Sequence, residues 1–455
     1  MSSRPTSRRD FIKTAALALP LAAASCGSLQ AKPAPAKKNT SDFISVRNGR
    51  FELHGHPYCY IGANIWCGCY LSDAKLSGGR KRMIRELDRL RSLGVTNIRL
   101  LAGSETSPLA GAISRGITRA PRDWDEDLLS GLDFCLAEMA RRDMRAVLYV
   151  SNYWQWSGGF AQYVSWATGD TIPDPDRPVM AKGNWSGFMK FSARLYVTPA
   201  ANQLYLDYIS QLIQRHNTVN GRVYRDDPVI MTWELANEPR PGTNAAVSGV
   251  PEFCQWVDAT ARFIHAQDPN HLVCTGSEGI HGCLDKPDAF LKAHETPAID
   301  YVTVHMWLKN WNWLKDPQPG EAFEKAAARA RDHVEQHTVL ATDTLHKPLV
   351  LEEFGLPRDH EKYGPETPTA ARDEYFRRMF EQVAESCRAG RALMGANFWA
   401  WGGEGRVGGG SKSSVSALMG DPFCEPQGLN SVFDTDKSTL AVIAQANKKL
   451  AAFAG

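Results

Sequence analysis

Eight short apolar runs punctuate the chain, at residues 59–66, 97–102, 146–151, 229–235, 272–276, 301–307, 348–354 and 395–401. Each is largely continuous rather than alternating in polarity, the pattern of parallel strands buried on both faces. Amphipathic stretches lie between them. Met83, Ile84, Leu87 and Leu90 recur at helical spacing, and Gly94 stands where such a helix should end. Leu128, Leu132, Cys135, Leu136 and Met139 repeat the pattern before the third run. Eight strand–helix alternations predict an α/β protein built as one (β/α)8 TIM barrel. No glycine-rich nucleotide loop follows any run, which counts against an open doubly wound sheet.

The pattern starts only near residue 42. Before it, Ser7-Arg8-Arg9-Asp10-Phe11-Ile12-Lys13 precedes an apolar, alanine-rich run at residues 14–24. Adjacent arginines, a short apolar segment and small residues make an export signal, one that resembles the twin-arginine type; a basic amphipathic helix is the alternative. The run is too short for a stable membrane span. Ala23-Ala24-Ser25-Cys26 resembles a lipoprotein processing site, and plain cleavage nearby is the alternative. Residues 1–26 therefore read as the signal, 27–41 as a Pro/Ala/Lys tether and 42–455 as the catalytic barrel. The expected location is outside a bacterial cytoplasm: periplasmic, lipid-anchored through Cys26, or extracellular.

Bulk composition adds exclusions. The chain has 455 residues, 43% hydrophobic and 22% charged, with a formal net charge of +2. Nothing there points to nucleic acid or an acidic partner. A monomer is expected, with membrane contact only through a lipid at Cys26. The ten cysteines lack metal-type spacing, Cys67-Gly68-Cys69 being too close for a zinc knuckle. Their disulfide pairing is not legible.

In a barrel, chemistry sits where the strands end. Those ends carry Arg99, Asn152, Trp154, Asn237, Glu238, His305, Trp307, Glu353, Trp399 and Trp401. Nine of the thirteen tryptophans (Trp154, Trp156, Trp166, Trp185, Trp307, Trp311, Trp313, Trp399, Trp401) lie at or after such ends. Core packing explains that poorly, whereas aromatic faces stack on the C–H faces of sugar rings. Two strand-end glutamates far apart in sequence, Glu238 and Glu353, are what a glycosidase needs as acid and nucleophile. Asn237 is placed to hold a sugar 2-hydroxyl, Arg99 to keep the nucleophile ionised, and His305 to orient or pass protons near the acid. Glu234 and Glu352 are the confounders. Strand alternation sends Glu352 and Glu353 to opposite sides, so that only one faces substrate.

The motifs resemble glycoside hydrolase family 5, and more narrowly its β-mannanase branch, over most of residues 43–452. Gly62-Ala63-Asn64-Ile65-Trp66 resembles the first-strand motif, and Asn97-Ile98-Arg99 the family arginine. Ser151-Asn152-Tyr153-Trp154, Trp233 to Arg240, Asn397-Phe398-Trp399 and Gln427 to Phe433 resemble further family segments. The sixth strand departs from the pattern, with His305-Met306-Trp307 where the family usually has His-x-Tyr. The resemblance implies a retaining mannan endo-1,4-β-mannosidase-type hydrolase that needs no metal or organic cofactor. It makes Glu238 the acid/base and selects Glu353 over Glu352 as nucleophile. It assigns substrate binding to Arg99, Asn152, Trp154, Asn237, Arg240, His305, Trp307 and Trp399. Exo attack, another β-1,4-glycan such as glucan or glucomannan, and a non-catalytic glycan-binding lipoprotein are the alternatives. Endo or exo action depends on whether inserted loops, such as those around 183–191 or 307–313, close one end of the cleft.

Overall fold

The computed structural model describes residues 42–176, 184–242, 249–364, 366–408 and 414–454. The expected export signal, Cys26 and the tether lie outside them, as do residues 177–183, which include the start of the loop around 183–191.

Eight parallel strands form the core: β1 (Tyr60–Ile65), β2 (Asn97–Leu101), β3 (Arg145–Tyr149), β4 (Ile230–Glu234), β5 (Leu272–Cys274), β6 (Val302–Met306), β7 (Leu349–Phe354) and β8 (Leu393–Phe398). Every residue in them is buried, which is why their sequences run apolar without alternation. The ladder runs β5-β4-β3-β2-β1-β8-β7-β6. Across the β5–β6 seam, Asp300 N donates to Val273 O (2.9 Å), Val273 N to Asp300 Oδ2 (2.8 Å) and Thr303 Oγ1 to Ser277 O (2.8 Å). The result is a nearly closed barrel.

One main helix follows each strand: α1 (Gly79–Ser92), α2 (Glu126–Ala140), α3 (Pro199–Ile213), α4 (Val250–Gln267), α5 (Pro287–His294), α6 (Glu321–Val339), α7 (Ala370–Arg388) and α8 (Lys437–Ala454). Their apolar stripes face the sheet. Met83, Leu87 and Leu90 of α1 are fully buried, as are Leu128, Leu132, Cys135, Leu136 and Met139 of α2. Asp125 caps α2 by accepting from the N–H groups of Asp127 (3.1 Å) and Leu128 (3.2 Å).

Two elements depart from the apolar-run reading. A small antiparallel sheet, Ser45–Arg47, Arg50–Leu53 and His56–Pro57, precedes β1. Its Phe51 is fully buried and meets Tyr301 edge-on at 5.1 Å. The eighth run also ends early. β8 stops at Phe398, and Trp401–Gly403 pairs instead with Val432–Phe433 as a separate ribbon over the rim.

A disulfide joins Cys59, just before β1, to Cys387 near the end of α7; the other seven cysteines of the described residues are free. Its 328-residue separation makes it a long-range tie. Replacing both Cys59 and Cys387 by serine should cost about 2–4 kcal/mol and lower the thermal midpoint by roughly 5 °C. A melting curve of the double variant checks this, and an unchanged midpoint would show that the bond adds nothing to the fold.

Candidate active site

The chain leaving β4 is held from both sides. Asn237 N donates to Ser151 O (2.9 Å) beyond β3, and Tyr153 N donates back to Asn237 O (2.9 Å). Glu238 N donates to Gly276 O (2.9 Å) beyond β5. So pinned, Glu238 adopts φ +52°, a left-handed conformation that costs a non-glycine residue about 1 kcal/mol or more. That turn lifts its carboxyl out of the strand and over the barrel mouth. Gly276 is itself left-handed (φ +74°), and a β-carbon there would collide with Ala236 O and Glu234 Oε1. Only glycine lets β5 end so close to β4.

Arg99 is the hub beneath. Its guanidinium is wholly buried and grips Glu234 through both oxygens (2.6 and 2.8 Å). It also donates to Asn64 Oδ1 (3.1 Å), Asn237 Oδ1 (2.8 Å) and Glu353 Oε1 (2.5 Å). The Tyr149 ring lies 4.4 Å below it. A fork of fixed geometry is what can hold four side chains, from β1, from β4 and just beyond it, and from β7, at once.

Strand alternation at β7 is not obeyed. Glu352 does not turn away from the barrel. It points inward, 3.7 Å from Arg99 Nε and 3.6 Å from His305 Nε2, and is fully buried. The register of β7 shifts against both neighbours at this point, between Val304 and His305 on β6 and between Leu351 and Phe354 within β7. Such an irregularity breaks the two-residue period. Glu353 alone of the two reaches the cleft.

His305 lies between the two cleft carboxylates. Its Nδ1 is 2.6 Å from Glu238 Oε1 and 3.4 Å from Glu353 Oε2. Burial opposes charge on His305, but the Glu353 charge, the hydrogen bond to Glu238 and the Glu352 carboxylate 3.6 Å from Nε2 outweigh it and lift its pKa to about 10. Burial also opposes charge on Glu238. There the hydrogen bond and charge of His305, the charge of Arg240 and the Trp154 N–H prevail, and bring the carboxyl down to about 2. Glu353 goes the other way: burial prevails over His305 and Arg99 and raises it to about 7. The upward shift of His305 and the downward shift of Glu238 both favour a proton on His305 Nδ1 directed at an ionised Glu238.

The cleft itself has a volume of about 530 Å³ and contains Trp154, Asn237, Glu238, Arg240, Trp307, Glu353 and Trp399 in its lining. Trp154 donates Nε1–H to Glu238 Oε2 (2.5 Å), and the Arg240 guanidinium lies over its ring at 5.1 Å. Arg240 is paired with Glu278 at the end of β5 (2.5 Å from Nε). Asn237 uses Oδ1 on Arg99 and donates one Nδ2–H to Asn152 Oδ1 (3.2 Å), which leaves a second Nδ2–H for a ligand. Trp307 and Trp399 meet edge-on at 6.3 Å. A β-carbon at Gly355 would fall 2.6 Å from Trp399 O and 3.1 Å from Trp307 Cζ3, so the glycine after Glu-Phe admits both tryptophans.

Arg99, Asn152 and His305, also expected to bind substrate, are not among the residues lining the cleft. All three are fully buried and hydrogen-bonded to Glu353, Asn237 and Glu238 respectively. Asn64, Glu278 and Glu352 were not singled out as members of the site. Asn64 stood within the quoted first-strand motif, whereas Glu278 has no apolar run or motif beside it.

Comparison with known proteins gives a consistent answer. Residues 41–454 match the family model for GH family 5 β-mannosidase-like proteins. A putative mannan endo-1,4-β-mannosidase 4 of Arabidopsis thaliana is 30% identical over 376 residues, covering 79% of this chain and 83% of that protein. The crystal structure of a glycoside hydrolase family 5 mannosidase from Rhizomucor miehei superposes with a TM-score of 0.81 at 35% identity, covering 91% of this chain and 99% of that one. The endo-1,4-β-mannanase structure of Rhizomucor miehei shares the fold at a TM-score of 0.63 and 20% identity, over 90% of this chain and 99% of that one. Since the family match runs unbroken through both glutamate-bearing strand ends, the chain belongs to glycoside hydrolase family 5.

Proposed function

We propose that this enzyme hydrolyses β-1,4-mannosidic bonds with retention, through a covalent glycosyl-enzyme. The observation that carries the reading is the spacing of the carboxylates. Oxygens of Glu238 and Glu353 lie within 4.8 Å of one another, with His305 Nδ1 between them, 2.6 Å from Glu238 Oε1 and 3.4 Å from Glu353 Oε2. Retaining enzymes hold their pair about 5–5.5 Å apart, whereas inverting ones leave about 6.5–9.5 Å for a water. The choice of mannosides follows the family description and the names of the relatives.

Glu353, ionised and held by Arg99, attacks the anomeric carbon and forms an ester as the glycosidic bond breaks. Glu238 supplies the proton to the departing oxygen. A sugar in the cleft displaces water from Glu238, which disfavours its charged form and draws the His305 proton across their 2.6 Å hydrogen bond. In the second half, Glu238 takes a proton from water, which then cleaves the ester. Proton NMR of early product tests the stereochemistry: the β anomer should appear first, and α-first product would refute double displacement.

The pH profile follows from the same trio. Turnover needs Glu353 ionised. Because burial raises that carboxyl to about 7, activity should fall as pH drops at values above the ordinary glutamate range of about 4.3. Turnover also needs the proton shared by His305 and Glu238. His305 is raised to about 10, so that proton is lost only as pH rises past the ordinary histidine range. In His305→Gln the alkaline limb of kcat/KM should move to lower pH; an unmoved limb would remove His305 from the proton path.

The N-terminal pattern supports export from a bacterial cytoplasm, by the Ser-Arg-Arg-x-Phe-Ile-Lys order at residues 7–13. The Cys59–Cys387 bond suits an oxidising compartment. Fractionation of the native host, with mass analysis of the mature N-terminus, distinguishes a lipidated Cys26 from plain cleavage.

A further inference from the structure

One end of the cleft is walled. Three loops meet there: that after β2, with Ala110 and Gly111; that after β3, with Asp174 and Asp176; and that after β8, with Cys424 and Glu425. Ala110 N donates to Asp174 Oδ2 (3.0 Å), Ile113 N to Trp156 O (2.8 Å) and Gln155 Nε2 to Asp176 Oδ2 (2.8 Å). A β-carbon at Gly111 would collide with Asp176 Oδ2 and touch Cys424 Cβ at 3.4 Å, so only glycine lets the three loops approach this closely. The wall is braced from behind. Trp66 lies edge-on to Trp156 (5.9 Å) and Phe423 (5.8 Å) and donates Nε1–H to Met419 O (2.9 Å). Asp421 ties the β8 loop by accepting from the N–H groups of Gly428 (3.0 Å), Asn430 (2.8 Å) and Ser431 (3.2 Å).

This wall presents an acidic face to the catalytic centre. Asp176 and Glu425 line the same cleft as Glu353 and Trp399. Glu425 Oε2 is buried and has no hydrogen-bond partner among the described residues. Burial, then the negative charges of Asp421, Glu353 and Glu238, raises the Glu425 pKa well above the usual carboxylate range. An unpaired buried oxygen is costly unless a ligand supplies its donor. The same cleft is also lined by Arg240, Glu278, His281, Asn310 and Trp311, with Arg240 paired to Glu278 and lying over the Trp154 ring that donates to Glu238. A volume of about 530 Å³ is that of a small-molecule pocket.

We infer that Asp176 and Glu425 form an end-wall that seats the non-reducing terminal sugar of a β-1,4-linked chain, so that the enzyme releases single sugars from that end. The inference rests on the reading of the site as a β-mannoside hydrolase. Glu353 attacks C1 of the sugar it faces. In a 1,4-linked chain the next sugar on that side is attached through O4, at the opposite end of the ring. Only a terminal sugar carries a free 4-hydroxyl there. That hydroxyl can donate to Glu425 Oε2, whereas an internal sugar brings an ether oxygen and a further ring that meets the wall. Asp176 and Glu425 therefore read the chain end, while the leaving portion extends past Arg240.

The full-length wild-type enzyme, with manno-oligosaccharides labelled at the reducing end, gives the first test. Mannose and a labelled chain one sugar shorter should be the first products, and the viscosity of soluble mannan should hardly fall at early conversion. A 4-O-methyl cap on the non-reducing sugar should lower kcat/KM by about 100-fold or more. In Glu425→Ala the uncapped substrate should lose most of that preference, so that capped and uncapped chains differ by less than about tenfold. Labelled chains shorter by two or more sugars among the first products, or wild-type turnover indifferent to the cap, would overturn the end-wall while leaving β-mannoside hydrolysis intact. Absence of turnover on every β-1,4-mannoside would instead sink the parent reading. The product and cap arms need no variant, so a poorly folding Glu425→Ala does not protect the inference.

Discussion

Glu353→Gln should lower kcat by about 10⁴-fold or more, a loss of about 5.5 kcal/mol in transition-state stabilisation. Glutamine keeps the shape and can still accept from Arg99, but it cannot displace a leaving group and form an ester. The fold should survive, because Arg99 keeps both hydrogen bonds to Glu234 and that to Asn237. Binding of manno-oligosaccharide should persist, since Trp154, Arg240, Trp307 and Trp399 are untouched. Single-turnover kinetics with calorimetric titration separate the two effects. Turnover within tenfold of wild type would remove Glu353 from the nucleophile's role. The paired control is Glu352→Gln. Glu352 never reaches the cleft, so its variant should retain a measurable burst of product where Glu353→Gln shows none.

Glu238→Ala should cost about 10²–10⁴-fold on natural mannosides, the range for a positioned general acid. The dependence on leaving group is the sharper signature. A dinitrophenyl mannoside departs without a proton, so formation of the glycosyl-enzyme should be nearly restored. Its breakdown should stay slow, because no base activates water. Added azide needs no base and should accelerate that step, giving β-mannosyl azide. Burst kinetics read both steps. An equal loss on oxygen-protonated and activated leaving groups would show that Glu238 only shapes the site. Alanine also strands the Trp154 N–H and the His305 Nδ1, both of which donate to Glu238 in the native enzyme. A thermal melt alongside the kinetics separates lost chemistry from a loosened cleft.

The barrel is legible because parallel strands buried on both faces leave continuous apolar runs, and seven of the eight runs fall within two residues of the strands. The eighth overshoots because Trp399 and Trp401 are as apolar as the strand before them, although they serve the cleft and the rim. The small sheet before β1 escaped for the opposite reason: strands of two to four residues with exposed positions carry no apolar run. At the site, Glu238 and Glu353 stood out as charges where buried strands end. What the residues could not show was depth. Arg99, Asn152 and His305 occupy strand ends just as Trp154 does, yet they lie one layer below it, and only side-chain packing separates the layers. Glu352 defeated the alternation rule because the β7 register shift is a property of the β6–β7–β8 pairing and not of the local sequence. Glu278 and Glu425 lie on loops brought to the cleft by chain folding over long distances, which no local pattern encodes.

The central claim is that Glu353 becomes covalently glycosylated. A 2-deoxy-2-fluoro-β-mannosyl fluoride forms the intermediate quickly and hydrolyses slowly, because the fluorine destabilises both oxocarbenium-like transition states while the fluoride leaves without a proton. Incubation of the wild-type enzyme with this reagent, peptic digestion and tandem mass spectrometry locate the sugar on a peptide. The account predicts one fluoromannosyl ester, on Glu353 of the Leu351-Glu352-Glu353-Phe354 segment, formed as activity is lost. A label on Glu352 or Glu234, or inactivation with no ester on Glu353, would contradict it.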